Sequence, residues 1–259
     1  MPRFAANLTM LFNEVDFLDR FEAAAEAGFK GIEYLFPYDY DKRTLTDRLD
    51  RHGLTQALHN LPAGDWGGGE RGIACLPDRV DEFREGVGQA IEYATALGCK
   101  QVNCLAGIAP DGVDEARVRE TFVSNLRSAA DRLAQAGIRL VTEPLNTVDV
   151  PGFYLCHTDQ AVSIIEEVGS SNLGLQQDIY HMQIMEGDLA RTVERNLGTI
   201  RHIQIADNPG RNEPGTGEIN DPFLFDHLDR IGYDGWVGCE YIPLTTTHAG
   251  LGWLAPHLG

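Results

Sequence analysis

The sequence predicts one (β/α)₈ barrel of the α/β class spanning residues 1–259, and three observations carry that expectation. Eight short apolar runs recur along the chain, separated by helical patterns. The length of 259 residues suits a single barrel, which commonly runs to about 250 residues. No Pro/Gly/Ser-rich linker or composition break marks a second domain. The first run, FAANLTM (4–10), leads into DFLDRFEAAAEAG (16–28), whose Phe17, Phe21, Ala24, Ala25 and Gly28 share one helical face. GIEYLF (31–36), LTQALHN (54–60) and QVNCLAG (101–107) follow as the next strands. RVRETFVSNLRSAADRLAQAG (117–137) is a long amphipathic helix before IRLVTEP (138–144). LGLQQD (173–178), IRHIQIAD (200–207) and GWVGCEY (235–241) complete the set. Gly28, Gly53, Gly98, Gly137 and Gly232 sit just ahead of strands, where a helix can end in a left-handed cap. A doubly wound open sheet would carry a Gly-rich turn after its first strand, and NLTMLFNEVD has none.

Hydrophobic content of 43% and charged content of 23% are those of a soluble globular chain. Lys plus Arg number 21 against 39 acidic residues, a net charge of −18 that repels phosphate backbones and anionic bilayers. Nucleic acid and membrane are therefore excluded as partners, whereas a small anionic substrate can still bind through a cation. MPRFAANLTML lacks the apolar core of a signal peptide, so Asn7-Leu8-Thr9 carries no meaning as a glycosylation site. Five cysteines with no C-x-x-C pair indicate free thiols and a cytoplasmic setting. Homo-oligomeric assembly is left open.

In such barrels chemistry sits where strands end, at the carboxyl face. RLVTEPLN (139–146) closes a strand on Glu143, with Pro144 directly behind it. His59 and Asn60 end the third strand, and Asp178 ends the sixth with Tyr180 and His181 just beyond. Gln204 lies in the seventh strand and Glu240 closes the eighth. A lone strand-end carboxylate is more often a helix cap or a surface charge. Three converging on one low-dielectric mouth repel each other, and a divalent cation is the natural compensation. All-oxygen ligands suit Mg²⁺ or Mn²⁺ better than zinc. The three lysines exclude imine chemistry at this mouth: Lys30 and Lys100 precede strands, and Lys42 is expected in a loop. No G-x-S-x-G, H-E-x-x-H or Walker A pattern occurs, and Cys104 near His59 reads as a buried inert thiol.

LHNLPAGDWGGGERGIACLP (58–77), QDIYHMQ (177–183), ADNPGRNEPGTGEIN (206–220) and GWVGCEY (235–241) resemble the hydroxypyruvate isomerase family of the xylose-isomerase-like superfamily. The resemblance runs from about residue 3 to about residue 250. The sister 2-oxo-tetronate isomerases share MPRFAANL and GCEY, while NLPAGDWGGGERGIA and DIYHM look more like the hydroxypyruvate enzymes. The resemblance implies that Glu143, Asp178, Gln204 and Glu240 bind a divalent metal, with Glu143 and Glu240 as the proton-transferring pair. Much of the superfamily has His where this chain has Gln204, and the related endonucleases need several more histidines for their zinc clusters.

The implied reaction interconverts hydroxypyruvate and 2-hydroxy-3-oxopropanoate (tartronate semialdehyde) by moving a proton between adjacent carbons through an enediolate. Arg71 and Arg211 are candidates to hold the substrate carboxylate, with His59 and His181 as oxygen-polarising neighbours. The hydride-shift route of the xylose enzyme uses a lysine that is absent here. The alternatives are a 2-oxo-tetronate isomerase, a ketohexose epimerase, and a catalytically silent barrel that only binds a metal or sugar acid.

Overall fold

Each of the eight expected runs forms a strand in the computed structural model, which describes residues 2–257; the expected bounds at 1 and 259 lie outside it. The strands are β1 (Arg3–Asn7), β2 (Gly31–Glu33), β3 (Thr55–Asn60), β4 (Gln101–Cys104), β5 (Arg139–Thr142), β6 (Leu173–Asp178), β7 (Ile200–Ile205) and β8 (Trp236–Cys239). They pair in parallel in chain order, and β8 returns to β1 to close the barrel. Closure leaves no unpaired sheet edge.

Six strands stop two or three residues before their expected carboxyl ends. There the chain leaves the ladder to form the mouth loops, and after β5 Pro144 has no N–H to continue it. Glu143 and Glu240 each lie one residue beyond a strand, still anchored: the Glu240 N–H donates to the Ile205 carbonyl at 3.1 Å.

The helices are α1 (Arg20–Glu26), α2 (Lys42–His52), α3 (Val80–Ala96), α4 (Glu115–Gln135), α5 (Thr158–Val168), α6 (Ile179–Met185), α7 (Leu189–Asn196), α8 (Asp221–Ile231) and α9 (Thr247–Gly250). Lys42 is the first residue of α2 rather than a loop residue. Asp41 accepts hydrogen bonds from the Arg43 and Thr44 N–H groups and caps the helix directly ahead of Lys42. Gly53 and Gly232 close α2 and α8 in the left-handed conformation.

Two kinds of core result. Between sheet and helices the packing is apolar: Leu45, Leu49, Val87, Ala90, Phe122, Leu126 and Ile164 are all buried. Toward the mouth the barrel interior is polar, with Asn7, Glu33, Asn103, Gln176, His202 and Gln204 buried and hydrogen-bonded to one another or to neighbouring carboxylates. These pairings offset the cost of burying polar groups and make the interior a connected network. Strand register shifts between Ile32 and Glu33 and between Leu175 and Gln176, next to the residues that aim polar groups inward.

Candidate active site

Glu143 and Glu240 follow β5 and β8, and Asp178 ends β6 while capping α6. Asp178 Oδ1 accepts from the Tyr180 N–H at 2.8 Å and the His181 N–H at 3.4 Å, which turns Oδ2 toward the mouth. Glu143, Asp178, His181 and Glu240 are buried, and each brings a ligand atom within 4.8 Å of the other three. At that spacing two like charges repel by at least roughly 3.5 kcal/mol at an effective dielectric of about 20.

The crowding disfavours the charged forms. Burial, then Glu240 and Asp178, push the Glu143 carboxyl well above its ordinary range. Burial likewise raises Asp178, and pushes Glu240 up to about 8 against the pull of Arg211. Arg211 is the local counter-charge: its Nη2 donates to Glu240 Oε2 at 2.7 Å and lies 4.0 Å from Asp178 Oδ2, with the guanidinium over the Tyr180 ring. Asp207 fixes the loop that carries Arg211 by accepting from the N–H groups of Asn208, Gly215, Gly217 and Ile219.

Glu143 Oε2 accepts from Asn103 Nδ2 at 2.9 Å, while its buried Oε1 makes no hydrogen bond. A desolvated carboxylate oxygen without a donor, facing two further carboxylates, fits a cation ligand.

His181 has a tautomer that the chain itself dictates. The Asn146 backbone N–H (3.3 Å) and Nδ2 (2.6 Å) both face His181 Nδ1, while Asn146 Oδ1 is held by the Val148 and Asp149 N–H groups. Nδ1 therefore accepts and Nε2 carries the proton, 3.6 Å from Asp178 Oδ2. Burial keeps the ring neutral, lowering its pKa well below the usual histidine value. A neutral Nε2–H is a donor to oxygen rather than a metal ligand. The Gln204 amide is fixed from both ends: its Nε2 donates to Glu33 Oε1 at 2.7 Å and its Oε1 accepts from Gln176 Nε2 at 2.6 Å.

Glu143, Glu240, His181, Gln204 and Arg211 line a cavity of about 100 Å³ together with Arg71. The Arg71 guanidinium stacks 4.3 Å from the Trp66 ring and donates to the Trp66 and Glu70 carbonyls, with no acidic partner among the described residues. A larger open hollow of about 560 Å³ lies at the opposite end of the barrel, among Arg3, Lys100, Arg139 and Arg201, remote from the carboxylates.

His59 is a correction to the sequence reading. Leu58 and Asn60 line the cavity, so strand alternation turns His59 outward against Tyr38, at 6.0 Å between rings. Burial there lowers its pKa to about 4, and it is a core residue that does not line the cavity. Glu33, Asn7 and Gln176 were missed. Glu33 ends GIE as Glu143 ends VTE, but a strand drawn to residue 36 hid the parallel.

Fold and mouth chemistry together define the class: the chain belongs to the xylose isomerase-like TIM barrel family, whose model matches residues 21–257. Within it, hydroxypyruvate isomerase of Escherichia coli (strain K12) is 55% identical over 257 residues, covering 99% of this chain and all of that protein. The 2-oxo-tetronate isomerase of Cupriavidus necator is 51% identical, with both chains covered in full. A crystal structure from Brucella melitensis, named AP endonuclease, family 2, shares 50% identity and a TM-score of 0.97 over 99% of each chain. The chain is an isomerase. Among the described residues no helix is long and apolar enough to cross a membrane.

Proposed function

We propose that this isomerase interconverts hydroxypyruvate and 2-hydroxy-3-oxopropanoate with the help of a divalent cation, Mg²⁺ or Mn²⁺. The observation that carries the reading is the convergence of three buried carboxylates, Glu143, Asp178 and Glu240, beside one small cavity that Glu143 and Glu240 line, with a Glu143 oxygen left without a donor. Glu143, Asp178, Glu240 and the Gln204 amide oxygen would hold the cation. Once bound, it supplies positive charge to the oxygens of the reacting carbons.

The chain's own groups divide the remaining work. One of Glu143 and Glu240 takes the proton from C3 of hydroxypyruvate, and the other delivers a proton to C2. The hydroxyl proton passes from the C3 oxygen to the C2 oxygen, so the product is an isomer. His181 Nε2–H donates to a substrate oxygen. Arg71, which has no acidic partner among the described residues and lines the cavity, forks onto the substrate carboxylate. Arg211, held on Glu240, balances charge beside the proton-transferring pair.

A cavity of about 100 Å³ is well below the 300–1,000 Å³ of a drug-sized site. That supports a substrate of a few carbons over a ketohexose. The second reading, a four-carbon 2-oxo-tetronate, is favoured by the 51% identity to the Cupriavidus necator enzyme. Free cysteines, four of the five buried, support a reducing cytoplasmic setting. Assays of kcat/KM on hydroxypyruvate, a 2-oxo-tetronate and a ketohexose, with and without Mg²⁺ or Mn²⁺, test the proposal. Hydroxypyruvate should rank first. A tetronate in first place would move the chain to the sister activity, and a ketohexose in first place would overturn the acid-substrate reading.

A further inference from the structure

We propose that Glu33 is a positioning residue that forces the Gln204 carboxamide to present its oxygen, not its nitrogen, to the metal. The inference rests on the cation reading above and concerns a residue that reading does not use. Glu33 ends β2, is wholly buried, and accepts three hydrogen bonds: from Asn7 Nδ2 at 3.0 Å, His202 Nε2 at 2.7 Å and Gln204 Nε2 at 2.7 Å.

The logic is one of donors and acceptors. Both Glu33 oxygens are engaged as acceptors, so the end of the Gln204 amide that faces Glu33 is the NH₂ group. The amide oxygen then faces the other way, where Gln176 Nε2 meets it at 2.6 Å and the cavity opens. Oxygen binds a hard dication and a carboxamide NH₂ does not. A carboxamide has two orientations of nearly equal shape, so its use as a ligand calls for a second group that selects one.

Two further features show that the structure is arranged around Glu33. Register shifts at Ile32/Glu33, on the strand that carries it. Gly238 lies against it on β8, where a Cβ would overlap both carboxylate oxygens, so only glycine leaves room for the carboxylate. Through Asn7, which also donates to Glu240 Oε1 at 3.1 Å, the same carboxylate is tied to a second ligand. Asn7 Oδ1 is itself held by the Thr9 N–H at 3.0 Å, so the contact with Glu240 does not depend on Glu33.

Mn²⁺ dissociation constants, measured by titration calorimetry on the full chain, test this without any turnover. Glu33→Met removes both acceptor oxygens at similar size, and Gly238→Ala pushes the carboxylate off Gln204 while keeping its oxygens. Each should weaken Mn²⁺ binding by about tenfold to a hundredfold, the usual effect of losing a group that orients a ligand. In a Gln204→Leu background neither change should add more than about threefold, because there is no amide left to orient. Circular dichroism establishes that each variant is folded; if Glu33→Met does not fold, Gly238→Ala decides. Wild-type affinity in a folded Glu33→Met or Gly238→Ala, or losses that add fully to that of Gln204→Leu, would overturn the positioning role. A wild-type chain that binds no Mn²⁺ would sink the cation reading, and this inference with it.

Discussion

Replacing Glu143 by Gln keeps the side chain's length and removes its charge. The amide oxygen can still accept from Asn103 Nδ2, so the hydrogen bond now at 2.9 Å survives. What disappears is a proton acceptor at the reacting carbon. General acid–base groups contribute about 10²- to 10⁴-fold, or roughly 3–5.5 kcal/mol of barrier, and a loss of that size is expected in kcat/KM. The fold should not suffer. Burial and its neighbours Glu240 and Asp178 raise the Glu143 pKa, so the folded protein without metal already favours the uncharged form that Gln mimics, and the barrel ladders are untouched. The assay is kcat/KM for hydroxypyruvate with saturating Mn²⁺, paired with a thermal melt in chelator. A variant retaining more than about a tenth of the wild-type rate, a difference near 1.4 kcal/mol, would refute the proton-transfer role. A lower melting temperature in chelator would refute the electrostatic argument separately.

Three further outcomes are expected. Chelation should abolish turnover and Mg²⁺ or Mn²⁺ should restore it with an unchanged far-ultraviolet spectrum, since the ladders hold β5 to β8 in place; full activity in a metal-free sample defeats this. His59→Asn should leave kcat/KM within about threefold while lowering the melting temperature, because His59 packs against Tyr38 away from the cavity; a loss of a hundredfold would return it to the site. In chelator, stability should fall as pH rises through about 8. The folded protein favours protonated Glu240, whose contribution is complete below the ordinary carboxylate range near 4.5 and is lost through the raised value. Glu240→Gln should flatten that slope, and parallel slopes in the two proteins would contradict the assignment.

The architecture was legible in the sequence because it follows from short-range periodicity. Each strand is a local apolar run, each helix a local amphipathic stripe, and glycines such as Gly53 and Gly232 mark their ends. The acidic mouth was legible for the same reason: Glu143, Asp178 and Glu240 stand at strand ends, and barrel closure brings strand ends together. Which face a residue takes was not legible to one position. A single-residue uncertainty in where a strand runs inverts inside and outside, and so His59 was placed at the site and Glu33 was overlooked. The network beneath the ligands lay further out of reach. Glu33 meets His202 and Gln204 across separations of 169 and 171 residues, and Arg211 reaches Glu240 only because Asp207 folds its loop over the mouth. Such contacts depend on register, on two local register shifts and on the space left by Gly238, and these are set only when eight strands close on one another.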